Sequence, residues 1–222
     1  MLLNYSKLDS GVIRQKSVKP YIYNPTYVDT RYNQYAVLCD MMSHLRYGFI
    51  TGSIGKIPES VLDVGYGNGS FLKITSAAGV DSFGTDVSNY PLEHGTFVDF
   101  IDVKNKCIDV ITFFDSLEHF ENLDFVGDLN CNYICVSVPN CNYNLIETKL
   151  GESSADSYFE AWKHRREDEH IWHFDKDGLE KTMYNYGYDT IASAYIEDII
   201  RKSVDEYHNI LTMVFKKRIR TQ

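Results

Sequence analysis

Val61-Leu62-Asp63-Val64-Gly65-Tyr66-Gly67-Asn68-Gly69-Ser70 decides how the rest of the chain is read. Three apolar residues surround one acid, three glycines alternate with other residues, and Phe71-Leu72-Lys73-Ile74 continues in a helix-compatible pattern. The pattern predicts a buried parallel strand, a tight turn and the start of a helix. Glycine suits such a turn because it accepts positive φ and lets a ligand approach the backbone closely. The open N–H groups of a helix start favour electron-rich ligand atoms. A turn that binds nothing is the simpler alternative.

The spacing selects the ligand. A dinucleotide fingerprint requires G-x-G-x-x-G, with pyrophosphate seated on the helix N-terminus. Here the glycines are 65, 67 and 69, and Ser occupies position 70. Asp63 at the strand's carboxyl end would repel a pyrophosphate and attract an ammonium group. D-x-G-x-G-x-G resembles the loop of the class I S-adenosylmethionine-dependent methyltransferases, whose cofactor carries an amine, a carboxylate, a ribose and a sulfonium.

Working outward, Ser82-Phe83-Gly84-Thr85-Asp86 reads as a short strand ending in an acid 21 residues after Gly65. In a nucleoside-binding α/β sheet, that position suits a carboxylate accepting both ribose hydroxyls. Thr96-Phe97-Val98 is a third strand, and Asp99-Phe100 beyond it would meet an adenine, with Asp102 a competing acid. Asp109–Phe114 is a buried fourth strand running into Asp115-Ser116-Leu117-Glu118-His119, which resembles the D-x-L-E-H turn of many class I methyltransferases. A short helix precedes the strand Cys131–Pro139.

The resemblance spans roughly residues 58–216. It implies an α/β doubly wound, Rossmann-like sheet of about seven strands, the last antiparallel, with helices on both faces. It also implies S-adenosylmethionine as cofactor and S-adenosylhomocysteine as product. The implied cofactor residues are Asp63, Gly65, Tyr66, Gly67, Asn68, Gly69, Asp86, Val87, Asp99, Phe100, Phe114 and Asp115. Small methyltransferase-domain proteins of secondary metabolism and surface-glycan pathways are the most similar in character.

At 222 residues the chain reads as one domain: an N-terminal arm and helix (1–57), a cofactor-binding half (58–140), an acceptor-side insertion (141–174) and a closing helix and strand hairpin (175–222). The first 35 residues hold six of the 17 tyrosines, and Pro20 and Pro25 punctuate them. Residues 1–20 are expected to pack loosely, though a lid is the alternative. From Thr26, one helical stripe is expected through Val28, Tyr32, Tyr35, Leu38, Cys39, Met42, Leu45 and Phe49, with Tyr27, Arg31 and Gln34 on neighbouring faces. Asp175 is a candidate cap for a helix to Tyr186, and Thr190–Glu197 with Ile210–Lys216 a final strand pair.

Net charge is −9 without a long basic run, which argues against binding a phosphate backbone. No stretch approaches the ~20 apolar residues of a membrane span, and Met1–Lys7 is too short and polar for a secretory signal. Five irregularly spaced cysteines suit a reducing, cytoplasmic compartment. Cys131 and Cys135 would lie ~13 Å apart along a strand, too far for one zinc.

The insertion holds Trp162, Trp172 and the run His164-Arg165-Arg166-Glu167-Asp168-Glu169-His170. A segment leaving the fifth strand's carboxyl end should wall the same crevice as the glycine loop. His119, His170 and Arg165 are therefore the candidate catalytic and acceptor-binding residues, the tryptophans stacking on the acceptor. The competing readings are a capping pair for Glu118–His119 and a solvated helix face for the charge run. No metal is expected: His164, His170, His173 and Glu169 lack an H-E-x-x-H pair at helical spacing. The expected activity is methyl transfer to a small molecule such as a sugar or other metabolite, with neither nucleic acid nor membrane as partner. A non-catalytic cofactor-binding protein and a dinucleotide-dependent oxidoreductase are the rival functions.

Overall fold

A computed structural model describes residues 3–18, 21–32, 35–202 and 206–219; Pro20 and Gln34 lie outside them. The chain opens with two short strands, β1 (Tyr5–Lys7) and β2 (Ile13–Gln15), then helices α1 (Pro25–Arg31) and α2 (Ala36–Ile54). The central alternation follows: β3 (Ser60–Val64), α3 (Ser70–Ala77), β4 (Asp81–Thr85), β5 (Thr96–Phe97), β6 (Ile108–Phe114), the short α4 (Phe125–Asp128) and β7 (Cys131–Pro139). The insertion contributes α5 (Tyr143–Leu150), α6 (Glu152–Ala161) and β8 (Trp172–His173). Helix α7 (Lys176–Asn185), β9 (Tyr188–Ala194) and β10 (Ile210–Lys217) close the fold.

Seven strands form one sheet in the order β5-β4-β3-β6-β7-β10-β9. The pairs from β5 through β7 are parallel, and β10 runs antiparallel to both neighbours. Alternation along each strand divides the core. Leu62, Val64, Ile111, Phe113, Ile134 and Met213 pack with Leu179 and Met183 of α7 on one face. Val61, Val110, Cys135 and Val214 pack with Ile50 of α2 and Phe71 and Leu72 of α3 on the other. Burying each large side chain of this kind stabilises by about 1.5–3 kcal/mol. Both faces are covered, as the continuous apolar runs require.

Capping residues set several boundaries. Asn24 accepts from the Tyr27 N–H at 3.0 Å and Pro25 opens α1. Asp175 accepts from the Gly178 N–H at 2.7 Å at the start of α7. The predicted final strand is shorter than expected at its acidic end: Ile196–Ile199 is a 3-10 turn, not strand. No helix is long and apolar enough to cross a membrane among the described residues.

Two expectations fail. The single helical stripe is two helices, and α2 buries Cys39, Ser43 and Ile50 while Tyr35 and Leu38 are exposed. The arm, moreover, is not loosely packed where it is described. β1 pairs with β2, and β2 with β8 of the insertion, in a three-stranded sheet. Tyr5 and Ile13 are buried there against Tyr143, Phe159 and Trp162.

Candidate active site

The loop between β3 and α3 follows from its glycines. Gly65, Gly67 and Gly69 have φ of 85°, 57° and 73°, a region that L side chains rarely adopt. A Cβ on Gly65 would fall 2.8 Å from Ser116 Cβ, and one on Gly67 3.3 Å from the Tyr32 ring. The loop is thus pressed between the turn after β6 and the N-terminal arm. Asp86, just beyond β4, accepts from the Gly67 N–H at 2.9 Å and from the Ser88 N–H at 2.7 Å. Asn68 braces the entry to α3, whose N-cap is Gly69, by accepting from the Ser70 N–H at 3.2 Å.

A cavity of ≈ 360 Å³ lies above these groups, lined by Gly65, Gly67, Asp86, Val87, Ser88, Phe100, Asp115, Ser116 and His119 and roofed by Tyr23, Tyr27, Val28 and Tyr32. The tyrosines brace one another edge to face: Tyr23 and Tyr27 have ring centroids 5.2 Å apart, Tyr27 and Tyr32 6.3 Å. Phe100, not its exposed neighbour Asp99, faces this cavity. Asp102 is exposed as well.

Beneath the loop, a ≈ 50 Å³ crevice is lined by Arg46, Asp63, Tyr66, Asn68 and Phe114. Asp63 accepts from Thr112 Oγ1 at 2.7 Å. Burial pushes its carboxyl up to about 7, against the pull of Thr112 and the Arg46 charge.

Next to the crevice lies a charge quartet that local patterns did not reveal. Arg46 of α2 grips fully buried Glu197 with Nε to Oε1 at 2.7 Å and Nη2 to Oε2 at 3.0 Å. Arg201 grips Asp115 with Nη1 and Nη2 at 2.7 and 2.9 Å, and Nη1 also reaches Glu197 at 2.9 Å. Arg46 Nη2 closes the ring to Asp115 at 3.2 Å. Against a burial penalty that acts the other way, the guanidiniums hold both carboxyls below their ordinary range. Asp115 adopts a left-handed φ of 51°, which turns the chain where β6 ends.

A second cavity of ≈ 370 Å³ adjoins the first. Tyr27, Tyr32, Asp115 and His119 line both. Its further walls include Arg31, Leu38, Met42, His164, Arg166, His170 and Arg201. Tyr27, Arg31 and His170 therefore face this cavity. Arg165 does not. It pairs with Glu167 at 2.9 Å and lies over the rings of Tyr5 and Phe159. Neither tryptophan lines either of these two cavities: Trp162 packs in the insertion's own core, and Trp172 stacks on Phe174 while donating to the Phe120 carbonyl at 2.6 Å. The charge run is a series of turns, not a helix face. Glu118 and His119 do not hydrogen-bond each other, since His119 Nε2 and Glu118 Oε1 stand 3.9 Å apart and both Glu118 carboxyl oxygens are buried without a hydrogen bond.

Comparison with known proteins agrees with this geometry. The sequence model of a family described as methyltransferase domain matches residues 39–193, which is more than half of the chain. The chain belongs to this methyltransferase family. No curated protein matches its sequence. Among solved structures, this methyltransferase is similar to 1,6-didemethyltoxoflavin-N1-methyltransferase of Burkholderia thailandensis, crystallised with its acceptor and S-adenosylhomocysteine. That match has 13% identity and TM-score 0.56, covering 97% of this chain and 100% of that one. The Synechocystis magnesium protoporphyrin IX methyltransferase with bound S-adenosylhomocysteine matches at 15% identity and TM-score 0.54, over 82% and 84% of the two chains. A plantazolicin methyltransferase in complex with a desmethyl analogue matches at 16% and 0.53, over 87% and 89%.

S-adenosylmethionine is the cofactor of this class, and the site fits it. The two positions where a Cβ would strike a neighbour form a side-chain-free cradle, and the acid after β4 stands at the cavity wall. The volume lies within the ~300–1,000 Å³ usual for small-molecule pockets.

Proposed function

We propose that this protein transfers a methyl group from S-adenosylmethionine to a small-molecule acceptor held in the second cavity. The observation that supports the reading is the shared wall, where Tyr27, Tyr32, Asp115 and His119 line both cavities. The cofactor supplies an activated methyl for in-line displacement at a sulfonium carbon, so the protein's task is alignment and proton removal. Two cavities meeting at one seam provide the alignment. His119 stands at that seam, and its imidazole is the group we assign to withdraw the acceptor's proton.

In the first cavity, Gly65 and Gly67 form the floor, Asp86 is assigned to the ribose hydroxyls, and Val87 and Phe100 to the base; Asp63, Tyr66 and Asn68 line the crevice beneath the loop and support it from there. Both Asp86 oxygens already hold backbone N–H groups, yet a carboxylate has about four acceptor sites and keeps room for two hydroxyls. Losing a charge-assisted bond costs ~1.5–3 kcal/mol. Asp86→Ala is thus expected to weaken S-adenosylhomocysteine on the order of 10–100-fold. Isothermal titration checks this, and a change below threefold would remove the ribose assignment.

Acceptor chemistry follows from the second cavity's charges. Arg31, Arg166 and Arg201 outnumber Asp115 and Glu169. Arg201 and Arg166 are already paired, whereas Arg31 forms no ion pair among the described residues. An acceptor carrying a carboxylate or phosphate suits Arg31. Once an acceptor is found, Arg31→Ala should raise KM about tenfold with cofactor affinity intact, while Arg165→Ala should leave turnover unchanged. The opposite ranking in steady-state kinetics would move the acceptor site towards the three-stranded sheet. His119→Ala should mainly lower kcat. A net charge of −9 argues against a nucleic-acid acceptor. Five free cysteines, four of them buried, suit the cytoplasm. We treat residues 1–222 as a single catalytic unit.

A further inference from the structure

The seam between the two cavities holds a group of side chains that the reading above leaves unexplained. Glu118 is 1% exposed, and neither of its carboxyl oxygens has a hydrogen-bond partner among the described residues. A buried carboxylate without partners is costly; it either takes up a proton, the direction in which burial pushes Glu118, or is met by positive charge. Its immediate neighbours are two imidazoles. One ligand-type atom from each of Glu118, His119 and His170 lies within 4.8 Å of the others. The two rings meet edge to face with centroids 4.8 Å apart.

His119 is fixed in a useful tautomer. Its Nδ1 lies 2.9 Å from the Glu169 carbonyl oxygen and 2.8 Å from the Tyr23 hydroxyl. A carbonyl only accepts, so Nδ1 carries the hydrogen and Nε2 keeps its lone pair. Nε2 is the atom 3.9 Å from Glu118 Oε1. A histidine whose far nitrogen donates to a backbone carbonyl is the arrangement that orients metal-binding imidazoles.

We propose that Glu118, His119 and His170 bind one divalent cation at the seam between the two cavities. Ligands about 2.1 Å from a tetrahedral ion stand ~3.4 Å apart, so the widest pair must close by up to about 1.4 Å. Two imidazoles and one carboxylate suit a first-row ion such as Mn²⁺, Fe²⁺, Co²⁺ or Zn²⁺; Mg²⁺ and Ca²⁺ prefer oxygen throughout. Asp115 is not counted as a ligand, because Arg201 and Arg46 occupy its oxygens. His119 and His170 both line the second cavity, so the ion's open positions face the acceptor. An acceptor hydroxyl bound there loses its proton to cavity water more readily. With the ion bound, its charge supplies the activation and the His119 lone pair is a ligand; the role of His119 as base belongs to the ion-free chain. This consequence rests on the methyl-transfer reading; cation binding itself does not.

The test uses the full-length, tag-free chain. Titration with CoCl₂, followed by visible absorption, is expected to saturate near one ion per chain with bands characteristic of nitrogen and oxygen ligands. Glu118→Gln, which keeps shape and removes charge, and His170→Ala should each weaken Co²⁺ at least tenfold. Their affinity for S-adenosylhomocysteine should stay within about twofold of wild type, which shows that they fold. Failure of the wild type to saturate near one ion, or equal Co²⁺ affinity in folded variants, would overturn the site. A chain that binds Co²⁺ through these residues but not S-adenosylhomocysteine would support the cation site and remove the methyl-transfer reading alone.

Discussion

Gly67→Val is expected to abolish binding of S-adenosylhomocysteine. Position 67 has φ of 57°, where a β-branched residue is strained by about 1–3 kcal/mol. Its Cβ would also fall 3.3 Å from the Tyr32 ring, on the side from which a ligand approaches the loop. The branched carbons would then fill the cradle itself. The same backbone N–H is held by Asp86, so a loop displaced by valine also moves the proposed ribose acceptor. Isothermal titration on protein with wild-type circular dichroism checks the prediction. Unchanged affinity would mean that the cofactor does not pass over this loop.

Glu197→Ala is expected to destabilise the fold by about 3–5 kcal/mol, the usual cost of removing one partner of a buried ion pair. The carboxylate is 0% exposed and receives both guanidiniums as well as the Ser137 hydroxyl at 2.6 Å. Alanine would leave Arg46 and Arg201 facing each other across a buried gap, with Asp115 alone to balance them. Urea denaturation should show a lowered midpoint with an unchanged slope. A loss below 1 kcal/mol would show that water compensates the arginines. Since Asp115 lines both cavities, the variant should also weaken ligands that wild type binds.

These two residues also show what a sequence can disclose. Gly67 sits in a contiguous motif whose spacing has a direct steric meaning, so the loop and the strand and helix flanking it were legible. Glu197 has its distant partner at Arg46, 151 positions earlier, and Asp115 of the same quartet lies 86 positions before its partner Arg201. Each alone looks like an ordinary charge on a helix or turn, and no local pattern marks the set. The arm was misread for a related reason: β1 and β2 are three residues each, too short to display a period of two. Arg165 was the candidate, yet the turn at 164–170 brings its neighbour Arg166 to the cavity instead. Sequence spacing could not choose between them, because that turn is held by backbone bonds such as His170 N–H to the Arg166 carbonyl at 2.8 Å. Glu118 and His119 were found as a motif, but His170 joins them only because the Ile171 N–H binds the Glu118 carbonyl at 2.9 Å.

The tyrosine roof is built like a bridge with two abutments. One end is stitched to the insertion, where Gln15 donates its N–H to the Ile171 carbonyl at 2.8 Å and β2 lies beside β8. The other end runs into α2, whose Ile50 is fully buried against the central sheet. Tyr27 and Tyr32 belong to the walls of both cavities, so a shift of this one stretch of the arm would change the width of the two cavities at once.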